Sequence, residues 1–347
     1  MALRNLASSL LLLSSIKPII AGYDLSDDYS GKSFFSGFSF FTGPDPTQGF
    51  VQYVDLKTAA ISGLVGASND TVYLGVDRTN PAPLGRASVR LESKKTFNKG
   101  LFIADIKHMP GGICGTWPAF WMVGSNWPDD GEIDILEGVN DQAQNAMTLH
   151  TSAGCVSTSP DHSGMLETDD CDVNAPHQHK NAGCKITHPS TSSYGADFNA
   201  HHGGVYATEW TSQAIKIWFF TRDRIPHDIA AGTPNPSTWG QPSAHFAGDC
   251  DIDSRFHDLR IIFDTTFCGD WAGDVWDSAE TCTALPHGRT CDGFVANNPT
   301  AFRDAYWEIN SLKIYQEAAA AAGYDQQKRR HVRQHARRPR LGVGGHS

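Results

Sequence analysis

The sequence predicts an all-β fold, a sandwich of two antiparallel sheets, and three observations predict it. Short runs of residues either alternate polar and apolar side chains or are wholly apolar, the two signatures of strands. Clusters of glycine, proline, asparagine and serine punctuate them, as at residues 80–83 and 232–236. No segment sustains a 3.6-residue hydrophobic period. Residues 22–316 show neither a break in composition nor an internal repeat, so a single large domain is expected there.

The strands can be taken in order. Residues 88–92 (Ser-Val-Arg-Leu-Glu) alternate and read as a half-buried strand. Residues 101–106 are more fully apolar, as a strand covered on both faces would be. Residues 214–220 alternate at first and then turn wholly apolar, and residues 259–263 and 305–315 complete the set.

The two ends differ from this middle. Arg4 precedes an apolar run of about 11 residues, and Ala21 offers a small residue before Gly22, so residues 1–21 read as a secretory signal peptide. The run is well short of the roughly 20 residues a membrane-spanning helix needs. Residues 317–347 hold seven basic and two acidic side chains and few large apolar ones, and read as a basic, disordered tail. Removing both ends leaves 19 basic and 36 acidic residues, a charge of −17 for residues 22–316. Nucleic acid and acidic polymers are therefore excluded as main partners, whereas a neutral polymer is compatible.

Eight cysteines behind a signal peptide imply up to four disulfides of undetermined pairing. Cys171, His177, His179 and Cys184 could be taken for a zinc site, but an oxidising compartment favours loop chemistry over free thiols. Asn69 opens an unblocked glycosylation sequon. Phosphate-loop, nucleophile-elbow, H-E-x-x-H and dinucleotide patterns are absent.

The chemistry concentrates in Gly131-Glu132-Ile133-Asp134-Ile135-Leu136-Glu137. On a strand Glu132 and Asp134 share one face, and Ile133 and Ile135 face the core. Strict alternation would send Glu137 to the core as well. A β-bulge near Ile135 and Leu136 turns it back beside the other two. Three crowded carboxylates raise one another's pKa, and that divides acid from nucleophile in a glycosidase. Side chains leaning inward from backbones roughly 13 Å apart bring Glu132 and Glu137 to about 5–6 Å, the spacing of a retaining enzyme. Trp117, Trp121 and Trp127 lie just upstream as candidate sugar-stacking surfaces, with core packing the alternative for Trp117.

The motif resembles the E-x-D-x-x-E signature of glycoside hydrolase family 16, in the bulged form of the fungal laminarinase branch. Residues 108–111, 114–119, 137–142, 145–151, 267–273 and 305–307 are similar to the same branch, so the resemblance spans residues 22–316. It implies a concanavalin A-like β-jelly roll and endo-acting, retaining hydrolysis of β-1,3- or mixed-linkage glucan by a secreted monomer that uses no cofactor and no membrane. It implies Glu132 as nucleophile, Asp134 as its helper and Glu137 as acid/base. By the same resemblance Trp121, Trp127 and Trp271 line sugar subsites, His150 sits near the acid/base, and Arg90 contacts sugar hydroxyls. No catalytic metal is implied. A structural calcium occurs in parts of the family, with ligands that this sequence does not mark. Asp264 stands where the resemblance suggests asparagine, and Met122 where relatives carry a polar residue. A cell-wall transglycosylase and a non-catalytic, lectin-like glucan binder are the alternatives.

Overall fold

The computed structural model describes residues 22–318. The apolar runs pair into two eight-stranded antiparallel sheets. The first is ordered Ala244–Phe246, Ile215–Thr221, Gly204–Trp210, Gly100–His108, Tyr306–Glu317, Val72–Gly75 and Val65–Ala67, with Tyr23–Ser30 also paired to Tyr306–Glu317. The second is ordered Met165–Thr168, Cys184–Thr187, Ala146–His150, Glu132–Glu137, Thr116–Val123, Arg260–Phe267, Arg90–Ser93 and Phe38–Phe40. The jelly-roll sandwich expected from the sequence is thus the observed architecture, and its compact unit runs Tyr23–Gln316.

The core lies between the sheets. Phe120, Met122, Ile133, Ile135, Leu136 and Phe263 from the second sheet join Phe102, Ile106, Ile215, Ile217, Trp307 and Ile309 from the first in one buried cluster. Trp307 meets Phe263 edge to face at 5.6 Å. Its indole N–H donates to the Asp264 carbonyl at 3.0 Å, so the one polar atom of that ring is satisfied. Each fully buried leucine or isoleucine contributes about 2 kcal/mol. That burial fixes the register of Glu132–Glu137, because a one-residue slip would push Ile133 and Ile135 into water.

Helix is confined to short segments, the longest α-helix among the described residues being Cys291–Asn297. None is long and apolar enough to cross a membrane. All eight cysteines pair: Cys114 with Cys282, Cys155 with Cys250, Cys171 with Cys184, and Cys268 with Cys291. Both thiols of the zinc alternative are therefore spent in a disulfide. The pairs at Cys282 and Cys291 sit in a second apolar cluster with Phe267, Trp276, Phe294 and Phe302.

One strand departs from expectation. Residues 88–92 do not form a continuous half-buried strand. Arg86–Ser88 pairs in parallel with Val51–Tyr53, while Arg90–Ser93 pairs with Arg260–Phe267. Ser88, Val89, Arg90 and Leu91 are all buried, since rings and neighbouring strands cover the polar face too. The signal peptide and most of the basic tail lie outside the described residues.

Candidate active site

The outer face of the second sheet carries the site. Against Thr116–Val123, Glu132, Ile133 and Asp134 lie opposite Val123, Met122 and Trp121, and then the register jumps to Leu136 opposite Phe120 and Glu137 opposite Ala119. The same jump falls between Asp134 and Glu137 against Ala146–His150. This is the expected bulge. Ile133, Ile135 and Leu136 are all fully buried, so two successive side chains turn inward and Glu137 emerges on the face of Glu132 and Asp134. Gly131 starts the strand at φ +83°, and a Cβ there would stand 2.3 Å from the Arg255 carbonyl oxygen, so only glycine fits.

Each carboxylate has named partners. The Trp117 indole N–H donates to Glu137 Oε1 at 2.7 Å. Trp127, 44% exposed, lies on the Glu132 side and favours its ionised form. Asp134, almost fully buried, lies on the same face as Glu132, and the two carboxyls are electrostatically coupled. His150 faces Glu132 in the register, and its Nε2 lies 3.3 Å from Asp134 Oδ2 and 3.9 Å from Glu132 Oε1. It thus stands against Glu132 and Asp134, and its charge also pulls down the Glu137 carboxyl.

Aromatic rings flank the carboxylates in two groups. Trp117 and Trp271 meet edge to face at 5.6 Å, and Lys185 Nζ stands 5.0 Å from the Trp271 ring centroid. Trp121 Nε1 donates to Asp264 Oδ1 at 3.3 Å, and Tyr53 donates to Asp264 Oδ2 at 3.1 Å. Arg90 is ion-paired to Glu92 at 3.0 Å and lies over the rings of Phe41 and Trp121. Arg90 therefore packs against the Trp121 ring and steadies it.

Two participants had no settled role in the sequence. Trp117, open there between sugar stacking and core packing, reaches Glu137. The signal was available, because Trp117 shares strand parity with Trp121, whereas Phe120 and Met122 face the core. Lys185 comes from a distant strand and carries no local signal. Its charge pulls down the carboxyl pKa of both Asp134 and Glu137.

Burial dominates the electrostatics. It pushes the Glu132 carboxyl well above its ordinary value, with Asp134 adding to the rise while His150 and Trp127 oppose it. Burial lifts Asp134 to about 8, opposed by Glu132, and Glu137 to about 8, aided by Asp134 and opposed by Trp117. Burial likewise lifts Asp264 to about 7, with Arg90 opposing. The cluster therefore holds protons at neutral pH and can present a charged carboxylate and a protonated one side by side. Among the described residues, Glu132, Asp134 and His150 are also the one group whose donor atoms are close enough, within 4.8 Å, to hold a metal ion.

A stability trend follows from these shifts. The folded carboxyls bind protons more tightly than the unfolded ones, whose pKa is about 4. Folding stability is therefore highest near the acidic end and falls as pH rises from about 4 to about 8. Thermal melts across that range should show a declining Tm, with a shallower decline in Glu132→Gln. A Tm that climbs from pH 5 to 8 would contradict the shifts.

Comparison with known proteins gives the family. The family model described as XgeA-like, catalytic GH16 domain matches residues 38–315. An endo-1,3(4)-beta-glucanase of Arthroderma benhamiae is 49% identical over 318 residues, covering 90% of this chain and 69% of that protein. A probable endo-1,3(4)-beta-glucanase of Aspergillus fumigatus is also 49% identical, covering 86% of this chain but 46% of its own length, so the chain spans about half of that relative. Two solved structures superpose with a TM-score of 0.80, each covering 85% of this chain and 100% of theirs. One is an elongating GH family 16 beta-1,3-glucosyltransferase at 50% identity. The other is laminarinase 16A of Phanerochaete chrysosporium at 45% identity, with 6-O-glucosyl-laminaritriose in donor and acceptor sites. The chain belongs to the XgeA-like catalytic domains of glycoside hydrolase family 16.

Proposed function

We propose that this chain is a secreted endo-1,3(4)-β-glucanase that cleaves internal bonds of β-glucan with retention of anomeric configuration. The observation that carries the reading is the bulge, which puts Glu137 on the face of Glu132 and Asp134 and within reach of the Trp117 indole. Glu132, ionised, attacks the anomeric carbon, while Glu137 gives its proton to the departing glycosidic oxygen. Glu137, now a carboxylate, takes a proton from water, which attacks the same carbon and releases Glu132. Asp134 and His150 hold Glu132 in place and set its charge. Trp121, Trp127 and Trp271 offer faces for sugar rings. Four disulfides and a domain charge of −17 fit an extracellular enzyme acting on a neutral polymer.

A second reading is glucosyl transfer, favoured by the 50% identity to an elongating β-1,3-glucosyltransferase. There the covalent intermediate is released by a sugar hydroxyl in place of water. A mass-spectrometric product profile on laminarin, lichenan and branched β-1,3/1,6-glucan decides. Short laminari-oligosaccharides appearing early from internal cuts support hydrolysis. Products longer than the donor at high donor concentration support transfer. Binding of laminarin with no bond cleaved would leave only a glucan-binding role.

A further inference from the structure

The bulge that brings Glu137 into the site is itself a structural problem. An extra residue in one strand leaves backbone groups without ladder partners, and here they are buried, so each needs another partner. Asn145 supplies both. Its Nδ2 donates to the Ile135 carbonyl at 2.8 Å, and its Oδ1 accepts from the Glu137 backbone N–H at 2.8 Å. One amide thus spans the whole irregularity. The carbonyl on one side and the N–H on the other dictate which way round the amide lies.

Asn145 is in turn fixed from behind. It is fully buried and stands next to Ala146, the register partner of Glu137. Its backbone N–H donates to Ser193 Oγ at 3.1 Å, and its carbonyl accepts from the His188 N–H at 2.9 Å. The Ser193 carbonyl is held by the Tyr206 hydroxyl at 2.5 Å. The clamp is therefore attached to the sandwich, and the backbone of Glu137 is attached to the clamp.

We propose that Asn145 is a positioning residue for the reaction, acting through Glu137. In the straight register Leu136 would face the sugar and Glu137 the core, and the Asn145 amide selects the bulged one. Alanine at 145 offers neither hydrogen bond. An ionised aspartate accepts from Glu137 N–H but cannot donate to the Ile135 carbonyl. The inference rests on the role proposed above for Glu137, and the test separates the two.

Asn145→Ala, Asn145→Asp and Glu137→Ala are compared with wild type on laminarin and on dinitrophenyl β-laminaribioside, whose leaving group departs without a proton. In both Asn145 variants kcat on laminarin should fall about 100-fold, as a misplacement of about 1 Å produces, with KM little changed. On the aryl substrate kcat/KM should stay near wild type, as it should in Glu137→Ala. Equal losses on both substrates, undiminished laminarin turnover, or failure of both variants to fold would overturn the assignment of Asn145. Laminarin turnover by Glu137→Ala at the wild-type rate would instead overturn the reading of the site.

Discussion

Glu132→Gln is expected to lower laminarin turnover by about 10⁴-fold or more, the scale on which removal of a nucleophile acts, with the fold intact. The amide keeps the size and the hydrogen-bonding reach of the carboxylate but cannot attack the anomeric carbon. Stability should not suffer. Glu132 lies beside Asp134 in a desolvated site, so neutralising it removes a repulsion and leaves no unpaired charge. The Tm should match or exceed wild type, with the larger gain above pH 7, where the cluster is pressed to ionise. Laminarin should still bind, because Trp121, Trp127 and Trp271 are untouched. Hydrolysis by purified Glu132→Gln at anything near the wild-type rate would sink its role as nucleophile.

Glu137→Gln should cost about 10²- to 10⁴-fold on polysaccharide, the usual share of general acid catalysis. The loss depends on the leaving group, since a dinitrophenolate needs no proton and the first step on such a substrate proceeds. The covalent intermediate then accumulates, because no base activates water, and added azide should restore turnover as a β-glycosyl azide. The pH profile is the second signature. Glu137 titrates near 8, so wild-type kcat/KM on laminarin should fall as pH rises past that value and the acid loses its proton. Trp117→Phe removes a hydrogen bond that favours the ionised form, so the alkaline limb should move to higher pH while kcat falls. A limb that stays in place in both Glu137→Gln and Trp117→Phe would assign it to another group.

How much of this was legible depends on how far along the chain each signal travels. Alternation is local, and it placed Ile133 in the core and Glu132 with Asp134 on the outer face. The bulge was legible because a third carboxylate stood one residue out of phase with that alternation. Trp117 could have been assigned by parity with Trp121, and it stayed open because a single tryptophan is more often core. The continuous strand expected at residues 88–92 failed for a physical reason. Its polar side chains are covered by Phe41, Trp121 and neighbouring strands, and alternation reports polarity, not what packs over it. Lys185, Asp264 and Asn145 act through cross-strand and loop contacts that no spacing rule encodes. The disulfide partners lie as far apart as 168 residues, and eight cysteines allow 105 pairings, so their connectivity was open until the fold closed it.

The account turns on Glu132 forming a covalent bond to the sugar. Incubation with a 2-deoxy-2-fluoro-β-laminaribiosyl donor bearing a dinitrophenolate leaving group slows release of the intermediate and allows it to be trapped. Peptide mass spectrometry of the trapped enzyme should then find one laminaribiosyl adduct on Glu132, absent from Glu132→Gln. An adduct on Asp134 or Glu137, or inverted products from an enzyme that never labels, would contradict it.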